Sequence, residues 1–144
     1  MRSLRIPSGL PLLCAGLVAV IAGVHFQQYA DFISEVPTVG VLFLLNAAGG
    51  AGLVLALLSS ERALRLLAAS GSIGLAIGSL ASIAIALGGS FFGYSEPTLR
   101  LPIVIAIVAE VAAVPALLWL IARELPGLSP PRRGGAAQAT LRTP

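Results

Sequence analysis

Glu110 is the one charged side chain in an otherwise uncharged run from Leu101 to Ala122, nine residues from its start. If the run is helical, a rise of about 1.5 Å per residue puts the acid roughly 13 Å deep. That is close to the middle of a hydrocarbon layer about 30 Å thick. An acid at that depth costs about 2.5–3.5 kcal/mol on insertion scales, so it is expected to face a bundle interior or a wet cavity. Ala106 and Ala113 lie one turn either side, and Ala109 and Ala116 extend the same flank, a small-residue seam suited to helix contact. Two chemistries are open to Glu110. It could take up and release a proton or hold a cation, or it could stay neutral and hydrogen-bond across the bundle to fix packing.

Asn46 is the expected partner. It stands nine residues after Pro37 in the second apolar run, and the same rise gives it the same depth. A Glu110–Asn46 hydrogen bond would fix register more than it stabilises, since such interhelical bonds average about 0.6 kcal/mol. His25 is the third candidate, near the outer end of the first apolar run and followed by Gln27, Gln28 and Tyr29. It could serve as an outer-face ligand or pH sensor, with Asp31, Glu35 and Glu96 from neighbouring loops. The plainer reading is a boundary residue satisfied by headgroups, water or those carboxylates.

One cysteine (Cys14), one histidine and one methionine leave too few ligands for a metal cluster or a bis-histidine haem within one chain. No metal or other cofactor is expected. There is no phosphate-binding glycine loop with its lysine, no His-Glu-x-x-His pair and no nucleophile elbow, so the chain reads as non-enzymatic.

These residues need elements to hold them, and composition says which. Of 144 residues, 57% are hydrophobic and 10% charged, against about 25% charged in soluble domains. Lipid is therefore the natural solvent. Four apolar stretches, about 10–30, 36–58, 66–92 and 101–122, are each long enough to span a bilayer, and backbone pairing in hydrocarbon makes them helices. The expectation is an all-α membrane four-helix bundle over 1–125, followed by a disordered basic tail over 126–144. Pro37 and Pro102 fall in first turns, where a missing N–H costs little. Pro115 lies inside the fourth helix and is expected to kink it.

All nine basic residues are arginines. Arg2, Arg5, Arg62, Arg65, Arg123, Arg132, Arg133 and Arg142 fall on one side of the four spans and Arg100 alone on the other, which under the positive-inside rule puts both termini in the cytoplasm. Arginine without lysine, with abundant Ala, Leu and Gly, hints at a bacterial inner (plasma) membrane. Phe26, Tyr29, Phe32, Phe91, Phe92 and Tyr94 gather at the outer boundary and Trp119 at the inner one, as aromatic belts do. The weaker reading of the first stretch is a signal peptide cleaved after Ala22.

Ser70, Gly74, Gly78, Ser82 and Ala86 recur every four residues, a small-residue ridge for close helix approach. With Ala48-Gly49-Gly50-Ala51-Gly52 it predicts tight packing of the second and third helices, with a second copy or another membrane protein as the alternative partner. Tyr29-Ala-Asp31 and Tyr94-Ser-Glu96 are each followed by a proline, and one shift of 65 residues relates all three pairs. This suggests two helical hairpins in the same orientation. Nucleic acid is not an expected partner, because the arginines follow topology and form no basic face.

The stretch Ile105-Ala106-Ile107-Val108-Ala109-Glu110-Val111 resembles the glutamate-bearing first helix of small multidrug resistance transporters, which implies four helices and an acid coupling proton to cation exchange. Here the stretch lies in the last helix, and the arginine bias departs from dual-topology members, so the activity is not carried over. More broadly, the His25-containing first helix, short acidic loop and Pro37-Thr38-Val39-Gly40 resemble small four-helix membrane proteins of actinobacteria, a resemblance that implies no activity. The leading expectation is a multi-pass structural or accessory protein. The alternative is a small proton-coupled transporter or ion-conducting oligomer using Glu110, and the third is an outer-face redox or metal-binding protein using His25.

Overall fold

A computed structural model describes residues 9–125. Within them lie four helices, α1 (Gly9–Asp31), α2 (Pro37–Leu57), α3 (Arg62–Gly88) and α4 (Leu101–Glu124), with a 3-10 turn at Ile33–Glu35. Each is long and apolar enough to cross a membrane. At 21 to 27 residues they measure roughly 32–40 Å. The expected tail lies outside the described residues, as do Arg2, Arg5, Arg132, Arg133 and Arg142.

Helix starts follow local chemistry. Val36 and Arg100 are extended, and proline in the next turn begins α2 and α4 without losing a ladder bond. α4 runs unbroken through Pro115, which faces outward. The third helix differs from the expected 66–92 span. It starts at Arg62, because arginine favours helix and its head can stay in water while the backbone winds. It stops at Gly88, where a tight turn takes over. Phe92 and Gly93 both have positive φ, at 50° and 82°, and Phe91 and Tyr94 exchange two backbone bonds of 2.7 and 3.0 Å across them. That is the geometry of a type I′ turn, which needs glycine or a strained residue at both central positions. The two expected repeat segments consequently differ in form: Tyr29 to Asp31 is the last turn of α1, whereas Tyr94 to Glu96 is loop.

Side chains are sorted by size and polarity. Buried positions are dominated by alanine (Ala15, Ala22, Ala47, Ala68, Ala69, Ala76, Ala86, Ala106, Ala109, Ala113) and include His25, Gln28, Ser72, Ser79 and Glu110. Leu45, Leu55, Leu67, Val108 and Trp119 are more than half exposed. Water would reverse that order; lipid does not oppose it. α1 lies against α2 and α4, α3 lies against α4, and the α2–α3 contact is the slightest of the four. The expected tight pairing of α2 with α3 is therefore replaced by α1 with α2. The two approach closely at Gly50, where an added Cβ would come within 2.9 Å of the Ala22 Cβ.

The α3 ridge explains itself by geometry. At 100° per residue a strict four-residue spacing drifts about 40° each step, so four steps wind about 160° around the helix. Ser70, Gly74 and Gly78 are accordingly exposed, Ser82 is half-buried and Ala86 is buried. Ser72, Ala76, Ser79 and Ala86, spaced by four, three and seven, hold one face and are buried with Ala68 and Ala69.

The end bearing the α2–α3 loop is tied by Arg65, whose Nε donates to Glu124 Oε1 at 2.7 Å and Nη1 to the Ser59 carbonyl at 2.8 Å. Core packing is densest in this half, with Cys14, Val18, Leu57, Ala69, Ala113 and Leu117 in one cluster.

Gly50→Leu should force α1 from α2 and cost about 1–3 kcal/mol by overpacking. Gly49→Leu, with nothing within 4 Å of its added Cβ, should cost far less. Denaturant unfolding of the two variants in mixed micelles checks the contrast.

Candidate functional site

The half of the bundle away from that core is hollow. A cavity of about 510 Å³ lies between α2 and α3, backed by α1 and α4, within the range of about 300–1,000 Å³ typical of small-molecule sites. Its walls are mostly apolar. Leu42 and Phe43 of α2 face Gly78 and Ile83 of α3, while Ile103 and Ala106 of α4 form part of the back. Leu42, Leu45, Gly74 and Gly78 line it and are also exposed, so it opens sideways along the α2–α3 seam.

His25 holds the seam apart. Its ring packs tilted against Phe43, centroids 4.9 Å apart at 43°, and its Nε2 lies 3.1 Å from Ser79 Oγ. The ring thus occupies the space where α2 and α3 would otherwise meet. Nδ1 lies 2.9 Å from the Ile21 carbonyl, which can only accept, so Nδ1 carries a proton. In the neutral ring Nε2 is then the acceptor, and Ser79 Oγ–H donates to it. His25 is therefore an interior residue at 6% exposure satisfied by α1 and α3. The expected boundary position among headgroups and loop carboxylates is not what it occupies. Asp31 and Glu35 are exposed, and Glu96 is paired with Arg100. Among the described residues no three His, Cys, Asp or Glu side chains converge as metal ligands.

Glu110 is fully buried, with Ala106, Ala109 and Ala113 buried beside it. Neither of its carboxyl oxygens has a hydrogen-bond partner, nor does Asn46 Oδ1, so the expected Glu110–Asn46 bond is not formed. Asn46 instead lines the cavity. The side chain beside Glu110 is Ser79, the same residue that meets His25. Sequence reasoning missed Ser79, although a signal existed. It lies nine residues before the end of α3, as Glu110 lies nine after the start of α4, so antiparallel neighbours bring the two level.

A compact ionic cluster sits at the end of the cavity away from the core. Tyr94 OH donates to Glu96 Oε2 at 2.6 Å, and Arg100 reaches Glu96 through Nε at 3.2 Å and Nη2 at 2.6 Å. Arg100 also stacks its guanidinium 4.3 Å from the Phe32 ring centroid, and the Glu96 amide donates to the Ala86 carbonyl at 2.9 Å. The cluster thereby joins the α3–α4 loop to the α1–α2 connection and to the end of α3. Burial works against ionisation of Glu96, but hydrogen bonds from Arg100 and Tyr94 and the arginine charge outweigh it and hold the carboxyl below its usual range. Burial, then the hydrogen bond and charge of Glu96, push the Tyr94 phenol up to about 12.

No family model, curated protein or solved structure matches this chain.

The lowered Glu96 carboxyl keeps the loop tied at neutral pH and releases it only as pH falls through that lowered range. Protection of the Glu96 amide against hydrogen exchange should drop on acidification, and Glu96→Gln should show the lower protection with little further pH dependence. At the alkaline end, Tyr29→Phe leaves Tyr94 as the sole tyrosine, and its phenolate absorbance should rise only near pH 12.

Proposed function

We propose that this chain is a multi-pass integral membrane protein with no catalytic role, which holds a neutral lipophilic small molecule in the cavity between α2 and α3. The cavity is the observation that carries the reading. It is of ligand size, walled mainly by apolar side chains, open along a seam that faces lipid, and supplied with an unpartnered polar atom at Asn46 Oδ1. A ligand with a hydrogen-bond donor in its head would satisfy that atom, while its apolar body lies against Phe43, Leu42 and Ile83. Net charge on the ligand is disfavoured, because Glu96 and Arg100, the charged residues lining the cavity, already neutralise one another.

Topology follows from the arginines. Arg62, Arg65 and Arg123 crowd the end where α1 begins and α4 finishes. Arg100, alone among the described arginines at the other end, is committed to Glu96. The positive-inside rule then puts the first end, and both termini with it, in the cytoplasm of a bacterial cell.

A second reading is favoured by the exposure of Ser70, Gly74 and Gly78: an accessory protein whose α3 docks a helix of another protein or of a second copy. Ser70 separates the readings, because it lies outside the cavity.

Protein purified from its native membrane should carry a neutral lipophile, identified by mass spectrometry after solvent extraction. Gly78→Leu, which fills the cavity from a position with nothing within 4 Å of its added Cβ, should abolish recovery. Asn46→Leu should weaken retention about tenfold, the effect of leaving one polar group unpaired, and Ser70→Leu should leave it unchanged. Equal recovery from wild type and Gly78→Leu would exclude the cavity. Reporter fusions should find both termini in one compartment.

A further inference from the structure

Glu110 poses a problem that the cavity alone does not answer. A fully buried carboxyl with both oxygens unpartnered carries a penalty larger than that of most neutral groups. The polar group within reach is the Ser79 hydroxyl, already engaged on its other side by His25 Nε2 at 3.1 Å. Two contacts of a line are in place, Ser79 Oγ–H to His25 Nε2 and His25 Nδ1–H to the Ile21 carbonyl at 2.9 Å, and the one it lacks is Glu110 carboxyl to Ser79 Oγ. Protonated Glu110, Ser79 and His25 can each donate a hydrogen bond and accept one, and the Ile21 carbonyl closes the line as an acceptor.

We propose that Glu110, Ser79 and His25 form a single proton-binding site in which one proton is shared between the carboxyl and the imidazole through the serine hydroxyl. In the transfer, the Glu110 O–H bond breaks and its proton joins Ser79 Oγ, while the original Ser79 proton leaves to form a bond with His25 Nε2. The products are a Glu110 carboxylate and a His25 imidazolium, and the reverse step restores the neutral pair. No oxidant, metal or co-reactant takes part. Both His25 and Ser79 line the cavity while Glu110 does not, so the site stores its proton behind the wall and presents it at the wall.

Little else in the bundle competes for that proton. Away from the charged helix ends, α1 brings Cys14, His25 and, one turn beyond it, the half-buried Tyr29, α2 and α3 bring no titratable side chain, and α4 brings only Glu110. Cys14 belongs to the core cluster of the opposite half, with Leu117 and Leu120. Arg65 and Glu124 pair at that end, and Glu96 and Arg100 pair at the other.

The consequence for the cavity rests on the ligand reading given above: a molecule that hydrogen-bonds to His25 changes where the proton sits, and protonation changes the molecule's affinity in return. The site itself is testable without any ligand. Full-length protein in lipid nanodiscs, stripped of extractable small molecules, is titrated while two signals are followed: the infrared carbonyl band of the protonated acid, assigned by its loss in Glu110→Gln, and the ring ¹⁵N resonances of the single histidine. Coupled groups titrate in shared steps, so in wild type both signals should move together over the same pH interval. Ser79→Ala should split them into two separate transitions, and Ser79→Thr, which keeps the hydroxyl, should restore coincidence. Independent transitions in wild type, or coincidence that persists in folded Ser79→Ala, would overturn the proposal. If Ser79→Ala does not fold, the Glu110→Gln histidine titration decides: an unchanged curve refutes a shared proton. A ligand search that fails while the two signals stay locked together would remove the cavity reading and leave this one standing.

Discussion

The interior of this bundle is built from alanine, and that one choice governs the rest. Short side chains let α1 approach α2 until Gly50 meets Ala22, and let α4 lie along both α1 and α3. They also leave no bulk with which to fill space. Where a large ring is inserted among them, as His25 is against Phe43, the helices nearby cannot close, and a void follows on the far side of the ring. The dense half and the hollow half are two outcomes of one rule, separated by whether a Leu or Val from a neighbour reaches into the gap.

The same rule decides the fate of polar groups. An alanine-lined interior offers no hydroxyls or amides beyond those deliberately placed, so each buried polar side chain must find one of a very few partners. His25, Ser79 and Glu110 come from three different helices: the His25 ring reaches from α1 to Ser79 of α3 where α2 and α3 stand apart, and α4 lies against both α1 and α3. Asn46, on α2, faces the void.

Much of this was legible in the sequence. The four apolar stretches gave the four helices, and the alanines flanking Glu110 at three- and four-residue spacing gave its inward direction. The third helix lies about one turn earlier than its uncharged stretch, because absence of charge marks hydrocarbon and not helix. Arg62 and Arg65 wind happily outside it, while Phe91 and Phe92 are apolar yet sit in a tight turn. The small-residue ridge keeps a fixed interval of four, which winds off the buried face. Ser79 stands one residue off that ridge and is buried where Gly78 is exposed. His25 looked like a boundary residue because depth along a helix can be counted from sequence but the direction of its side chain cannot. The pairing of Glu110 with Asn46 failed for a related reason: equal depth brings residues level, and only helix adjacency brings them together.

A cavity that opens along its flank and is tied shut over its end by Arg100, Glu96 and Tyr94 has a particular thermodynamic reference state. A lipophile of the kind proposed would arrive from the surrounding leaflet and not from the aqueous phase, having already shed its hydration shell. Occupancy would then follow mole fraction among lipids, so that two membranes exposed to the same dissolved concentration could load the protein to quite different extents.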